Sequence, residues 1–199
     1  PSLSFTVDTV APEAPATAPT ATDDVDPVTG TINDGDSTND TTPTFSGSGT
    51  TGDLITIYDG DTAIGSVTVG GDGTWTFTPG TALDEGSHSI TTSVTDIAGN
   101  ESDKSPPLNI VVDTIAPDAP VAPTVTDDVD PVTGTIADGD ATNDTTPTFS
   151  GTGDTGQIIT IYDGDTAIGS VTVGGDGTWT FTPTDALGEG SHTITTTVT

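Results

Sequence analysis

The chain repeats itself. Residues 23–95 recur as residues 127–199, and 62 of these 73 aligned positions are identical. The strings DDVDPVTGTI, TNDTTPTFSG, TIYDGDTAIGSVTVGGDGTWTFTP and EGSH occur in both copies. A further match, VDTVAP at 7–12 against VDTIAP at 112–117, shows that the second copy is one residue shorter just after this segment. Such a chain has to fold from a unit of about 100 residues, used twice. In arrays of this kind each unit contacts only its neighbours, and adding one extends the reach of the whole. An enzyme needs a single site, so near-identical duplication argues for a chain whose length is its product.

Within one unit the apolar residues alternate with polar ones. Seven strands are expected. The first spans 16–22, the second 42–47 with Phe45 inward, and the third 54–59 with Ile55 and Ile57 on one face. The fourth spans 63–69, and the fifth 74–78 with Trp75 and Phe77 inward. The sixth covers 87–95 with Ile90 and Val94 inward, and the last 108–112 with Leu108, Ile110 and Val112 inward. A period of two marks half-buried antiparallel strands. Gly70-Gly71-Asp72-Gly73 and Asp59-Gly60-Asp61 read as hairpin turns. No segment has helical periodicity. The expected class is all-β, with tandem immunoglobulin-like β-sandwich domains of about seven antiparallel strands each. The Cys pair of antibody domains is missing, because the chain has no Cys.

The expected boundaries are 9–112 for the first repeat and 113–199 for the second, which lacks a last strand of its own. Residues 1–8 read as the last strand of a preceding repeat plus linker. Pro1-Ser2-Leu3-Ser4-Phe5-Thr6-Val7 aligns with residues 106–112, so Leu3, Phe5 and Val7 stand for Leu108, Ile110 and Val112. Two expectations follow with equal weight. Residues 1–7 of one chain could fill the open position in the next, head to tail, which builds filaments. Alternatively, the sequence is a window on a longer array.

Charge narrows the partners. There are 31 acidic residues and one basic residue, Lys104, for a net charge of -30. Nucleic acid and anionic membranes would be repelled. No run approaches the ~18 apolar residues that cross a bilayer as a helix, so no membrane insertion is expected. Only four of the acids are Glu, at 13, 85, 101 and 189. An Asp-dominated chain rich in Gly and Pro favours turns and hard-cation ligation over helical surfaces. High acidity can signal disorder, but the ordered alternation argues against it. Thin cores without disulfides call for another brace, and bound metal is the obvious one.

The series DDVDPVTGTI…TNDTTPTFSG…TIYDGD…IGSVTV…DGTWTFTP…GSHSITTSVTDIAGNES…VDTIAPDAP resembles the bacterial Ig-like extender repeats of giant type I-secreted, RTX-type and biofilm-associated adhesins. The resemblance covers essentially the whole chain. It implies an extracellular or cell-surface location and calcium at and near the junctions of tandem domains. It implies no catalytic residues.

The residues themselves offer candidate Ca2+ ligands. The stretch 23–40 carries Asp23, Asp24, Asp26, Asp34, Asp36 and Asp40, with Asn33 and Asn39 as neutral oxygen donors. Its twin carries Asp127, Asp128, Asp130, Asp138, Asp140 and Asp144. Calcium takes 6–8 oxygens, and alternating acids around Gly supply them. The plainer reading is a solvated acidic loop with Asx-turns. In a seven-strand sandwich Asp8 should lie near Asp96 and Asn100, and Asp113, at the exit of the first repeat, near the 23–40 loop of that first repeat. Both placements suit ligation at a junction, and are compatible with Pro12, Pro15, Pro117 and Pro120 simply stiffening a linker.

Other residues read as structural. Asp59, Asp61 and Asp72 belong to turns. His88 and His192 have no nearby metal-ligand or nucleophile partner in sequence. Trp75 and Trp179 alternate as core residues. Asp53 becomes Gln157 while Thr50 becomes Asp154, which reads as solubilising charge that need not hold a place. The expected function is a non-enzymatic, calcium-rigidified structural extender that projects a distal binding domain. The competing expectation is a binding module that contacts a glycan, a matrix polymer or itself.

Overall fold

The computed structural model describes residues 2–199, all of whose regular elements are strands. The chain divides into two compact units, Pro1–Ile115 and Ala116–Thr199.

The first unit has nine strands. They are β1 (Thr20–Asp23), β2 (Gly30–Ile32), β3 (Ser37–Thr38), β4 (Thr44–Ser48), β5 (Leu54–Asp59), β6 (Thr62–Thr68), β7 (Thr74–Phe77), β8 (Gly86–Thr95) and β9 (Leu108–Val112). One sheet has the order β2-β1-β4-β7 and the other β3-β9-β8-β5-β6. Only the β3–β9 pairing is parallel. The inward sets of both sheets meet in one core, where Phe45, Ile55, Ile57, Ile90, Ile110 and Val112 are fully buried.

Two glycines show how closely this core is built. Gly47 pairs with Trp75 across β4 and β7, and a Cβ at Gly47 would lie 2.7 Å from the indole ring. Gly65 sits where the β5–β6 register slips, and a Cβ there would lie 2.4 Å from the ring of Phe77. Phe77 belongs to the other sheet, so this contact closes the edge of the sandwich. The slip also twists edge strand β6, which carries no charged residue to deter pairing with other chains.

Two sequence expectations need correction. The first strand begins at Thr20, not at 16. Pro19 has no N–H to give to a ladder, so pairing starts after it. The acidic stretch 23–40 is not one loop. Its Gly30–Ile32 segment folds back on β1 with Thr22 opposite Thr31, and Ser37–Thr38 runs beside β9. Strands of two and three residues are too short to show a period in sequence. Thr114 lies in the first unit, and its amide donates to Glu85 Oε1 at 2.8 Å.

The second unit contains β10 (Thr124–Asp127), β11 (Gly134–Ile136), β12 (Thr148–Thr152), β13 (Ile158–Asp163), β14 (Thr166–Thr172), β15 (Thr178–Phe181) and β16 (Ile194–Val198). Its first sheet, β11-β10-β12-β15, copies the first unit. Its second sheet has three strands, β14-β13-β16, and one edge of β16 is free. The consequences are local. β16 has 5 residues where β8 has 10. The counterpart of β3 is not a strand, since it has no β9-like neighbour. Ile194 is half-buried, whereas its counterpart Ile90 is fully buried.

Residues 2–8 form no strand, and Leu3, Phe5 and Val7 are 90%, 81% and 74% exposed. Pro1, matched in sequence to Pro106, lies outside the described residues.

Candidate functional site: acidic loops and the chain junction

The first candidate lies where β1 ends. Asp23, Thr38 and Asp40 are all buried, Asp40 to 1% exposure. Asp23 Oδ1 accepts the amide of Val25 at 2.8 Å, and its Oδ2 accepts the Thr38 hydroxyl at 2.5 Å. That hydroxyl in turn accepts the Asp40 amide at 3.0 Å. Asp40 Oδ1 accepts the amide of Thr42 at 2.8 Å. One threonine therefore bridges two buried aspartates. Asn39 closes the loop by donating to the Asp26 carbonyl at 2.9 Å.

The second unit builds the same knot from Asp127, Thr142 and Asp144. The Thr142 hydroxyl donates to Asp127 Oδ2 at 2.5 Å and accepts the Asp144 amide at 3.0 Å. The copies differ at one oxygen. Asp144 Oδ2 accepts the Asp128 amide at 3.4 Å, while Asp40 Oδ2 is buried without a partner.

The remaining acids of the stretch are separately engaged or exposed. Asp34 Oδ1 accepts the amide and side chain of Asn109, at 2.8 and 3.0 Å, and so ties the stretch to β9. Asp36 Oδ2 accepts from Asn33, whose main-chain and then side-chain N–H groups hold its pKa below the usual carboxylate range. Asp140 Oδ2 accepts the Ala137 amide at 3.1 Å. Asp24, Asp26, Asp128, Asp130 and Asp138 face solvent.

The second candidate is the loop after β8. Asp96 Oδ1 accepts the amides of Ala98 and Asn100, both at 2.9 Å, and Oδ2 accepts Asn100 Nδ2 at 2.9 Å. The Asn100 side chain, then its main chain, lowers the pKa of Asp96. The same Asn100 Nδ2 reaches the carbonyl oxygen of Asp8 at 3.3 Å. Asp8, Asp96 and Asn100 thus meet, as the strand order led us to expect. Asp113 also lies where expected, its amide donating to the Thr38 carbonyl at 2.9 Å.

Among the described residues no three His, Cys, Asp or Glu side chains converge as a ready-made metal cage. N–H and O–H donors occupy most carboxylate oxygens in the knots and both oxygens of Asp96, while Asp40 Oδ2 is buried without a partner. The Asp8 carbonyl, the Asp96 carboxylate and the Asn100 side chain are oxygen donors of the kind a hard cation takes, and such an ion would have to displace these hydrogen bonds.

Sequence reasoning missed several contacts. Asp59 pairs with His88, and Asp163 with His192, both at 2.7 Å. Glu101 accepts the hydroxyls of Ser93 and Tyr58 at 2.6 and 2.7 Å, and Ser93 more than Tyr58 lowers its pKa. Lys104 lies 4.2 Å from the centre of the Tyr58 ring. The swap of acids between copies also has a structural sense. Gln157 Oε1 accepts the Asp154 amide at 2.9 Å, and Gln157 Nε2 donates to Asp154 Oδ2 at 3.2 Å. Both residues are new in the second copy, so this exchange is a matched pair and not loose charge. The two substitutions lie three residues apart, which is the signal that could have linked them.

The sequence profile of the bacterial Ig-like domain family matches residues 15–114 and 119–199. This chain belongs to the bacterial Ig-like domain family. The two matches coincide with the two sandwiches, so the tandem Ig-like organisation is established from both sequence and fold. No curated protein matches the chain in sequence. A solved structure of a biofilm associated protein, its BSP domain, aligns at 20% identity with a TM-score of 0.32. That alignment covers 92% of this chain and 26% of the other, so this chain spans about a quarter of its length.

Proposed function

We propose that this Ig-like pair is a non-enzymatic extender of a bacterial surface or extracellular adhesin, and that calcium stiffens it. The observation that carries this reading is duplication without a specialised site. Two sandwiches repeat the same contacts, down to the glycine–aromatic pairs and the Asp–Thr–Asp knots. Their differences in the aligned stretch are divided between loops and strands, and none falls on a residue of the buried hydrophobic core. Such a chain adds length and little else.

Calcium enters through the acidic loops. Asp8, Asp96 and Asn100 would hold it at the junction loop, with Asp113 and the exposed acids Asp24 and Asp26 as donors at the other end of the sandwich. Bound there, the ion supplies charge neutralisation and cross-linking. The residues of the chain supply oxygens and, through Asp96, a loop already shaped by its own hydrogen bonds. The test is thermal melting of the 199-residue chain in calcium, in magnesium and in chelator. A ligand at a thousandfold excess over its Kd stabilises the native state by about 4 kcal/mol. Calcium should raise the melting temperature well beyond magnesium. Identical melting in calcium and chelator would remove calcium from this proposal.

A further inference from the structure

Each unit holds one histidine, and both histidines sit in the same frame. His88 lies near the start of β8. Its Nδ1 is 2.7 Å from Asp59 Oδ2, at the end of β5, and its Nε2 is 2.7 Å from the Asp84 carbonyl in the β7–β8 loop. Asp59 uses its other oxygen to accept the Ser89 amide at 3.1 Å. In the second unit His192 Nδ1 is 2.7 Å from Asp163 Oδ2, and Nε2 is 2.8 Å from the Gly188 carbonyl. Asp163 Oδ1 accepts the Thr193 amide at 3.2 Å.

This geometry counts protons. A neutral imidazole has one N–H and one lone pair. A carbonyl oxygen only accepts, and the carboxylate oxygen facing Nδ1 accepts as well. Two acceptors satisfied at once need two donors, so the ring that fits this frame is the imidazolium. We propose that His88, on β8, and His192, two residues before β16, are proton-loaded clasps that each pin a hairpin turn to a neighbouring loop, and that alkali opens them.

In the first unit the clasp governs more than a turn. The loop held at Asp84 continues directly to Glu85. Glu85 Oε1 accepts both the amide and the hydroxyl of Thr114, the second residue after β9. The proton on His88 therefore fixes the loop that anchors the chain as it leaves the sandwich.

The surroundings favour the cation. His88 faces the carboxylates of Asp59, from β5, and Asp84, from the loop. Across the β8–β9 ladder it faces uncharged Ile110, while Lys104 is directed to the Gly60 carbonyl and Asp61. Burial pushes the His88 pKa down, but the Asp59 and Asp84 contacts outweigh it and leave the pKa raised. His192 meets one carboxylate, Asp163, and a glycine replaces Asp84. The Gly188 carbonyl first, and then Asp163, raise its pKa against a smaller effect of burial. A group that binds its proton more tightly when folded stabilises the fold below its unfolded pKa. That stability is lost as pH rises through the folded value. The window therefore runs upward from about 6.5, the ordinary histidine value.

The chain has only two histidines, so proton NMR of the intact protein resolves both titrations. Both rings are expected to titrate above free histidine, and the Thr114 amide should shift with the His88 titration. Asp59→Asn should lower the pKa of His88 and leave His192 unmoved. Asp84→Gly copies the residue natural to the second unit, keeps the carbonyl and should lower His88 more mildly. Rings that titrate at or below the free value would overturn the clasp. A Thr114 amide that stays flat while His88 titrates would overturn its control of the departing chain.

Discussion

At the residue scale, the informative side chain in the acidic stretch is a threonine. Thr38 donates to Asp23 and accepts from Asp40, so one hydroxyl satisfies two buried groups. Thr38→Val keeps the shape and removes both bonds. Each buried polar group left unpaired costs about 1–3 kcal/mol. Thr142→Val removes the same bonds where they are part-buried and the residue as a whole is exposed, so water can replace more of them. Denaturant titration of the two variants should show a clearly larger loss for Thr38→Val. Equal losses would mean that burial does not set the strength of the knot. The sequence made the aspartates conspicuous and the threonine invisible. Composition counts carboxylates but says nothing about which of them face an N–H and which face water.

At the element scale, one strand separates the two units. β9 covers one side of β8, brings Leu108, Ile110 and Val112 into the core, and gives β3 a partner. In the 199-residue chain no described strand pairs with the far edge of β16, and less of the second unit's apolar surface is fully buried. Hydrophobic stabilisation scales with the area removed from water. The second unit should therefore unfold at lower denaturant, with a smaller dependence on denaturant concentration. Hydrogen exchange reads this directly, since amides of β16 should lose protection before those of β8. Loss of protection in both strands at one denaturant concentration would show that the units unfold together. The long strands were legible in sequence because six alternating residues display a period. β2 and β3 were not, because their register comes from β1 and β9 and not from their own residues.

At the scale of the whole molecule, charge and duplication dominate. The acids sit mostly in turns, in loops and at strand ends, while the outer faces of the strands carry Thr and Ser. A chain with net charge -30 repels itself at low salt, and the calcium proposed at the loops would relieve that repulsion. Small-angle scattering in calcium should give a larger maximum dimension, with a narrower spread, than in chelator. Monovalent salt at matched ionic strength should not reproduce the change, because screening lacks the geometry of ligation. Profiles that agree in calcium and chelator would refute the proposed stiffening by calcium.

The sequence by itself determined the repeat, the all-β class, the core alternation and the meeting of Asp8 with Asp96 and Asn100. These rest on periodicity and strand order, which are properties of the chain written along its length. Only the tertiary structure decided that Asp23 and Asp40 share a threonine, that Asp59 holds a histidine, and that Gly47 exists to admit an indole ring. Those partners lie 15, 29 and 28 residues apart along the chain. Hydrogen bonds and van der Waals contacts act over a few ångströms of space, so folding alone brings such pairs into range.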